Sequence, residues 1–110
     1  MAVDIQKLFN EEIPAKLAAN PEGAKQVGAT YQFVITGDGG GEWFINVKDE
    51  PRCEKGNPGN AECTMTLAAE DFQKLMENPQ ANGMQLFFGG KLKVGGNNML
   101  AMKLNKLFTL

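Results

Sequence analysis

The 110-residue sequence contains no histidine and no serine. Those two absences remove Ser-His-Asp and Cys-His nucleophilic catalysis, together with any histidine-ligated metal centre. An enzyme built from this chain would have to run on carboxylates, Lys, Thr, Tyr31 or two cysteines. Cys53 and Cys63 without histidine make a poor ligand set, so neither a metal nor another cofactor is expected. Arginine is nearly missing too, with Arg52 alone, and the lysines are scattered over a chain of net charge −2 and pI near 5.1. No basic face for nucleic acid is expected. No apolar run is long enough for a transmembrane helix. Met1 to Lys7 lacks a basic region ahead of an apolar block, and Phe108-Thr109-Leu110 is not the Ser-Lys-Leu peroxisomal address. A cytoplasmic location is the resulting expectation. The composition, 43% hydrophobic and 22% charged, suits one compact domain over residues 1–110 with a single core.

Residues 4–20 carry Ile5, Leu8, Phe9, Ile13 and Leu17 at helical spacing behind Asp4, a suitable N-cap. Pro14 predicts a kink or a restarted helix, and Asn20-Pro21-Glu22-Gly23 reads as the end of the element. Residues 29–36 alternate, with Tyr31, Phe33 and Ile35 on one face. Residues 43–48 do the same with Trp43, Ile45 and Val47. Gly37 to Gly41 lies between them. A glycine-rich loop can cradle phosphate only when a helix follows directly, and here a strand follows, so a hairpin turn is expected. Residues 51–55 and 61–67 flank the turn cluster Gly56 to Asn60 and predict a further hairpin. If it is symmetric about Pro58, Cys53 and Cys63 sit opposite one another. A disulfide is then conceivable, although two small apolar side chains in a reducing compartment are the simpler reading.

Helices are expected over 69–78, with Phe72, Leu75 and Met76 on one side, and over 80–88. A strand over 91–94 follows, then an exit turn at Gly95-Gly96 and a helix over 98–109. The order of elements argues for an α+β fold, a five-stranded antiparallel-rich sheet with helices packed on one face. The carboxylate pairs Asp49-Glu50 and Glu70-Asp71 read as a solvated turn and a helix first turn rather than as an acid–base pair. Met65, Met76, Met84, Met99 and Met102 lie inside predicted elements. Thioether side chains repack cheaply, and as a group they suggest an interior that adapts to variable apolar shapes. Lys91, Lys93, Lys103 and Lys106 form the one basic cluster. They read as a solvated face or as a patch for transient contact with a membrane surface.

Four blocks then carry a resemblance: Tyr31-Gln32-Phe33; Gly41-Glu42-Trp43; Cys63-Thr64-Met65-Thr66-Leu67 with Glu70 to Leu75; and Phe88-Gly89-Gly90-Lys91-Leu92-Lys93-Val94-Gly95-Gly96-Asn97 with Ala101 to Leu104. In order and spacing the sequence resembles the sterol carrier protein type-two family of nonspecific lipid-transfer domains. The resemblance implies a sheet covered by helices around an apolar tunnel. The implied ligand is a fatty acid, fatty acyl-CoA, phospholipid or sterol, carried without catalysis. Carried over by position, the implied ligand-binding residues are Phe33, Ile35, Trp43, Ile45 and Met65 on the strands. Phe72, Leu75, Met84, Phe87, Met99 and Met102 would complete the lining. The competing expectation is an interaction module of the same fold, with an apolar stripe at Met99 and Met102 as a dimer seam.

Overall fold

Residues 4–48, 50–97, 99, 100 and 103 are described by a computed structural model. The first helical run has three parts, α1 (Ile5–Lys7), a π-helical turn (Leu8–Glu12) and α2 (Ile13–Ala19). Asp4 caps it, its carboxylate accepting the Lys7 N–H at 3.1 Å. Pro14 sits in the first turn of α2. Proline has no N–H and crowds the carbonyl four residues back, here that of Asn10. The helix therefore restarts at Ile13, and the wider π turn occupies the residues just before it. Ile5, Leu8, Phe9, Ile13 and Leu17 form one buried stripe along the run.

Asn20-Pro21 ends α2, as its sequence predicts, and begins a further helix, α3 (Pro21–Val27). The Asn20 side chain accepts the Gly23 N–H at 3.0 Å, and Pro21 supplies a φ already suited to a first helical turn. The same Asn-Pro pair that reads as a stop is also a start. Gly28, in the left-handed region at φ 61°, closes α3.

The sheet comprises β1 (Thr30–Thr36), β2 (Gly41–Asn46), β3 (Arg52–Lys55), β4 (Cys63–Ala68) and β5 (Lys93–Gly96), in the order β3-β2-β1-β4-β5. β1 pairs with β4 in parallel, and the other neighbours are antiparallel, so the sheet is mixed. The hairpin expected between residues 51–55 and 61–67 does not form. β3 pairs with β2, and the chain crosses to the far side of β1 before β4 begins. Residues 56–62 make that crossing over the outer face, where the Gln32 side chain donates to the Gly56 carbonyl at 3.2 Å and is buried. The signals at Gly56-Asn57-Pro58-Gly59 mark a loop correctly but do not say which strands it joins.

α4 (Ala69–Glu77) and α5 (Pro79–Phe88) follow β4. Ala68 gives α4 no side-chain cap, and Glu70 and Asp71 fill its acidic first turn. Asn78 caps α5 by accepting the Ala81 N–H. β5 begins two residues later than the sequence suggests, so Gly95-Gly96 lies inside the strand. Gly96 has φ 83°, and a Cβ there would meet the Glu62 carbonyl oxygen at 2.3 Å, so β5 leaves the sheet at a point only glycine can occupy. Met99, Leu100 and Lys103 are helical, and most of the helix expected over 98–109 lies outside the described residues. Helices cover the sheet face that carries Tyr31, Phe33, Trp43, Ile45, Met65 and Leu67, and the core sits between them.

Candidate functional site

Strand periodicity places alternate residues of β1, β2 and β4 on the covered face, and cross-strand register aligns them in rows. One row runs Cys53–Ile45–Tyr31–Cys63 and the next joins Trp43, Phe33 and Met65. Phe9 descends onto the second row from the π turn. Its ring stacks on Trp43 at 4.8 Å and 10°, and meets Phe33 at 5.2 Å and Phe72 at 5.6 Å. All four rings are fully buried. The Trp43 indole N–H donates to Asn10 Oδ1 at 3.0 Å, so the π turn satisfies the one polar atom of that indole.

Seven of the sequence-nominated lining residues therefore share one apolar layer: Phe33, Ile35, Trp43, Ile45, Met65, Phe72 and Leu75 are all at most 5% exposed. Met84, Phe87 and Met99 lie elsewhere, at 63%, 43% and 71% exposure. Met102 and Lys106 are outside the described residues. Leu75 lies where α5 packs on α4, with Gly83 facing it: a Cβ on Gly83 would lie 3.4 Å from Leu75 Cδ1. Sequence reasoning places Phe9 on the helical stripe but not in the aromatic cluster, and assigns nothing to Asn10. No local signal could have found either, because their positions depend on the π register.

Tyr31 ties the interior to the C-terminal segment, its hydroxyl donating to the Leu100 carbonyl. Burial lifts its pKa far above the ordinary tyrosine value, and the neighbouring Cys63 and Glu62 add to the shift. Burial also pushes Cys53 up to about 12, with Glu54 contributing, and raises Cys63. The Cys53 thiol donates to the Phe9 carbonyl at 3.3 Å. The two cysteines stand three strand spacings apart in their row, about 14 Å, too far for a disulfide. The opposed pair that a symmetric hairpin would have created is thus excluded by the crossover.

A pH dependence follows. Each of these groups keeps its proton longer in the folded than in the unfolded chain, so the stability it contributes is complete below its unfolded pKa, near 9 for the cysteines and near 10 for Tyr31. It is lost as pH rises toward 12. Urea midpoints should be flat from pH 7 to about 8.5 and fall steadily above 9. Native thiols should react with a disulfide reagent only as fast as the chain opens. A flat profile to pH 11, or rapid thiol labelling of the native protein, would contradict this account.

An open cleft of about 330 Å³ lies where α1, the β1–β2 turn and the start of α4 meet. Its mouth carries Asp4, Asp38 and Glu70, so it is not a place for an acyl chain. Among the described residues no group of three or more His, Cys, Asp or Glu could hold a metal ion, and no helix is long and apolar enough to cross a membrane.

An α+β domain with a mixed sheet, helices on one face and an aromatic–aliphatic layer between them defines the class. Within it, the model of the SCP-2 sterol transfer family matches residues 8–109, and the chain belongs to that family. It is 39% identical to human sterol carrier protein 2 over 109 residues, 91% of this chain but 19% of the human protein. The chain spans between 16% and 22% of the length of the curated relatives it matches. The apo sterol carrier protein 2 of Yarrowia lipolytica superposes with TM-score 0.69 at 31% identity, covering 94% of this chain and 82% of that one. The palmitate complex of Aedes aegypti sterol carrier protein 2 gives TM-score 0.68 at 22% identity, covering 94% and 93%, a likeness of fold.

Proposed function

We propose that this domain is a non-catalytic lipid carrier that takes the apolar part of one fatty acid, fatty acyl-CoA, phospholipid or sterol into the layer between sheet and helices. The observation that carries the reading is the single apolar cluster that joins Phe9, Trp43 and Phe72 to Leu75 on α4 and Leu86 on α5, a helix that also exposes Met84 and Phe87. Each buried methylene contributes about 0.8 kcal/mol, so burying a whole palmitoyl chain of about fifteen carbons contributes ~12 kcal/mol and leaves roughly micromolar affinity after association costs of about 4 kcal/mol. Family membership supports this, and so does the palmitate held by the Aedes aegypti protein of the same fold. The interior offers no histidine, serine or reactive thiol, and the buried cysteines stay protonated at neutral pH. Native mass spectrometry of the purified protein, followed by organic extraction, tests the reading. A discrete added mass that extracts as a lipid is expected. An apo mass unchanged after incubation with fatty acid, acyl-CoA and sterol would contradict it.

A second reading, an interaction module within a larger assembly, draws on one fact: the matched stretch is only 16% to 22% of the length of these curated relatives. It predicts concentration-dependent sedimentation without lipid uptake.

A further inference from the structure

Three polar side chains of the covered layer find partners inside the fold. The Trp43 indole N–H meets Asn10, the Tyr31 hydroxyl meets the Leu100 carbonyl, and the Cys53 thiol meets the Phe9 carbonyl. Among the described residues two buried side-chain oxygens have no hydrogen-bond partner, Oε1 of Gln32 and Oδ1 of Asp71. Gln32 alternates with Tyr31 and Phe33 on β1, so it lies on the outer face, beneath the crossing loop whose Gly56 carbonyl it holds. Asp71 lies on the helix side. It is 6% exposed, and with Phe72 and Leu75 it makes up the buried face of α4. Leu75 stands one turn beyond it on that face, and the Phe72 ring next to it meets Phe9 at 5.6 Å. Glu70 and Gln73 line the open cleft on the opposite side of the helix. The ion pairs among the described residues, Lys48–Glu62 and Arg52–Glu54, do not involve Asp71. A carboxylate oxygen only accepts, and one left unmet beside apolar side chains is costly.

We propose that Asp71 sets the head-group selectivity of the apolar site: a ligand whose head is a neutral hydrogen-bond donor, an alcohol, donates its hydroxyl to Asp71 Oδ1. The inference rests on the carrier reading and names the head-group chemistry that the site prefers. A hydroxyl supplies the missing donor without bringing a charge into the layer. A hydrogen bond to a carboxylate strengthens binding about tenfold or more, and this one also satisfies an oxygen that the protein alone leaves unmet. A fatty acid cannot do the same. Its ionised head has no proton to give, and beside Asp71 it would set a second negative charge against the first where water screens little. It binds with its carboxylate toward solvent and gains only the burial of its chain. An ether matches the alcohol in shape but only accepts, so it too leaves Oδ1 unmet.

Displacement of a fluorescent fatty acid from the full chain tests this with dodecanol, dodecyl methyl ether and dodecanoate, which share one alkyl length. Dodecanol should bind about tenfold or more tightly than the ether, and dodecanoate should also fall about tenfold below dodecanol. Asp71→Leu should bring alcohol and ether to equal affinity. Asp71→Asn, whose amide both accepts and donates, should narrow the gap between dodecanol and dodecanoate to about threefold or less. Urea unfolding follows both variants, and loss of a lone buried carboxylate should leave the midpoint at or above that of the parent. If Asp71→Leu does not fold, Asp71→Asn and the alcohol-to-ether ratio of the parent decide. Equal affinity of the parent for alcohol and ether would overturn the inference and leave the carrier reading standing. So would a preference for the alcohol that survives unchanged in Asp71→Leu, because the hydroxyl would then have another partner. A chain that takes up neither the fluorescent fatty acid nor any of the three ligands would overturn the carrier reading itself, and this inference with it.

Discussion

Leu75→Trp weakens palmitate binding about a hundredfold while the domain still unfolds cooperatively. Leu75 is 5% exposed on α4, faces Gly83 of α5 and belongs to the buried cluster that includes Leu86 of α5. If the proposed carrier takes its acyl chain between α4 and the sheet, an indole at this position blocks it. Excluding about four methylenes at about 0.8 kcal/mol each removes ~3 kcal/mol, a loss of roughly a hundredfold in affinity. The structural cost is smaller, about 1–3 kcal/mol for overpacking, because α5 carries few buried side chains and can shift outward. Displacement of a fluorescent fatty acid measures the affinity and urea unfolding measures the fold. If the variant binds as tightly as the parent, Leu75 is not on the path and the assignment of α4 to the lining is wrong.

The largest loss of stability is expected at Trp43. Trp43→Ala should cost about 3–5 kcal/mol, a large share of the ~5–15 kcal/mol available to a domain of this kind. The indole is fully buried, stacks on Phe9, and donates its N–H to Asn10. Truncation therefore opens a cavity under the π turn and unpins the first helical run from the sheet. Trp43→Phe keeps the stack and loses only the hydrogen bond, so its cost should be about 1–2 kcal/mol. Guanidinium unfolding of the two variants separates the contributions. Equal stability of Ala and Phe variants would show that the stack on Phe9 does not hold the helix in place.

Residues that decide their own neighbourhood were legible in the sequence. The alternation of Tyr31, Phe33 and Ile35 and of Trp43, Ile45 and Val47 gives two strands and the face they bury, and Gly37 to Gly41 gives the hairpin between them. Phe72 and Leu75 mark the buried side of α4 for the same reason. What fails is pairing at long range. Nothing within residues 51–67 states that β4 lies alongside β1 instead of β3, because the choice depends on covering the outer face of β1 with the crossing loop. The opposition of Cys53 and Cys63 fell with that hairpin. Asn20-Pro21 was ambiguous at a different level: a capping side chain followed by a proline is a helix start as readily as a stop.

The apolar site divides along the same line. Seven nominated residues occur together because strand and helix periodicity decide which side chains face inward. Met84 and Phe87 are outward, since α5 is apolar on more than one face and periodicity cannot say which face the sheet receives, and Met99 is outward in the helical segment after β5.

The central claim, that lipid enters the layer between sheet and helices, is tested most directly by titrating palmitate while following tryptophan emission. Trp43 is the only tryptophan and sits within that layer, stacked on Phe9. The account predicts a saturable change at one-to-one stoichiometry with a midpoint near the micromolar range, and no such change in Leu75→Trp/Trp43→Phe, whose remaining indole occupies the path. An emission spectrum unaltered by palmitate, with no uptake of a fluorescent fatty acid in parallel, would contradict it.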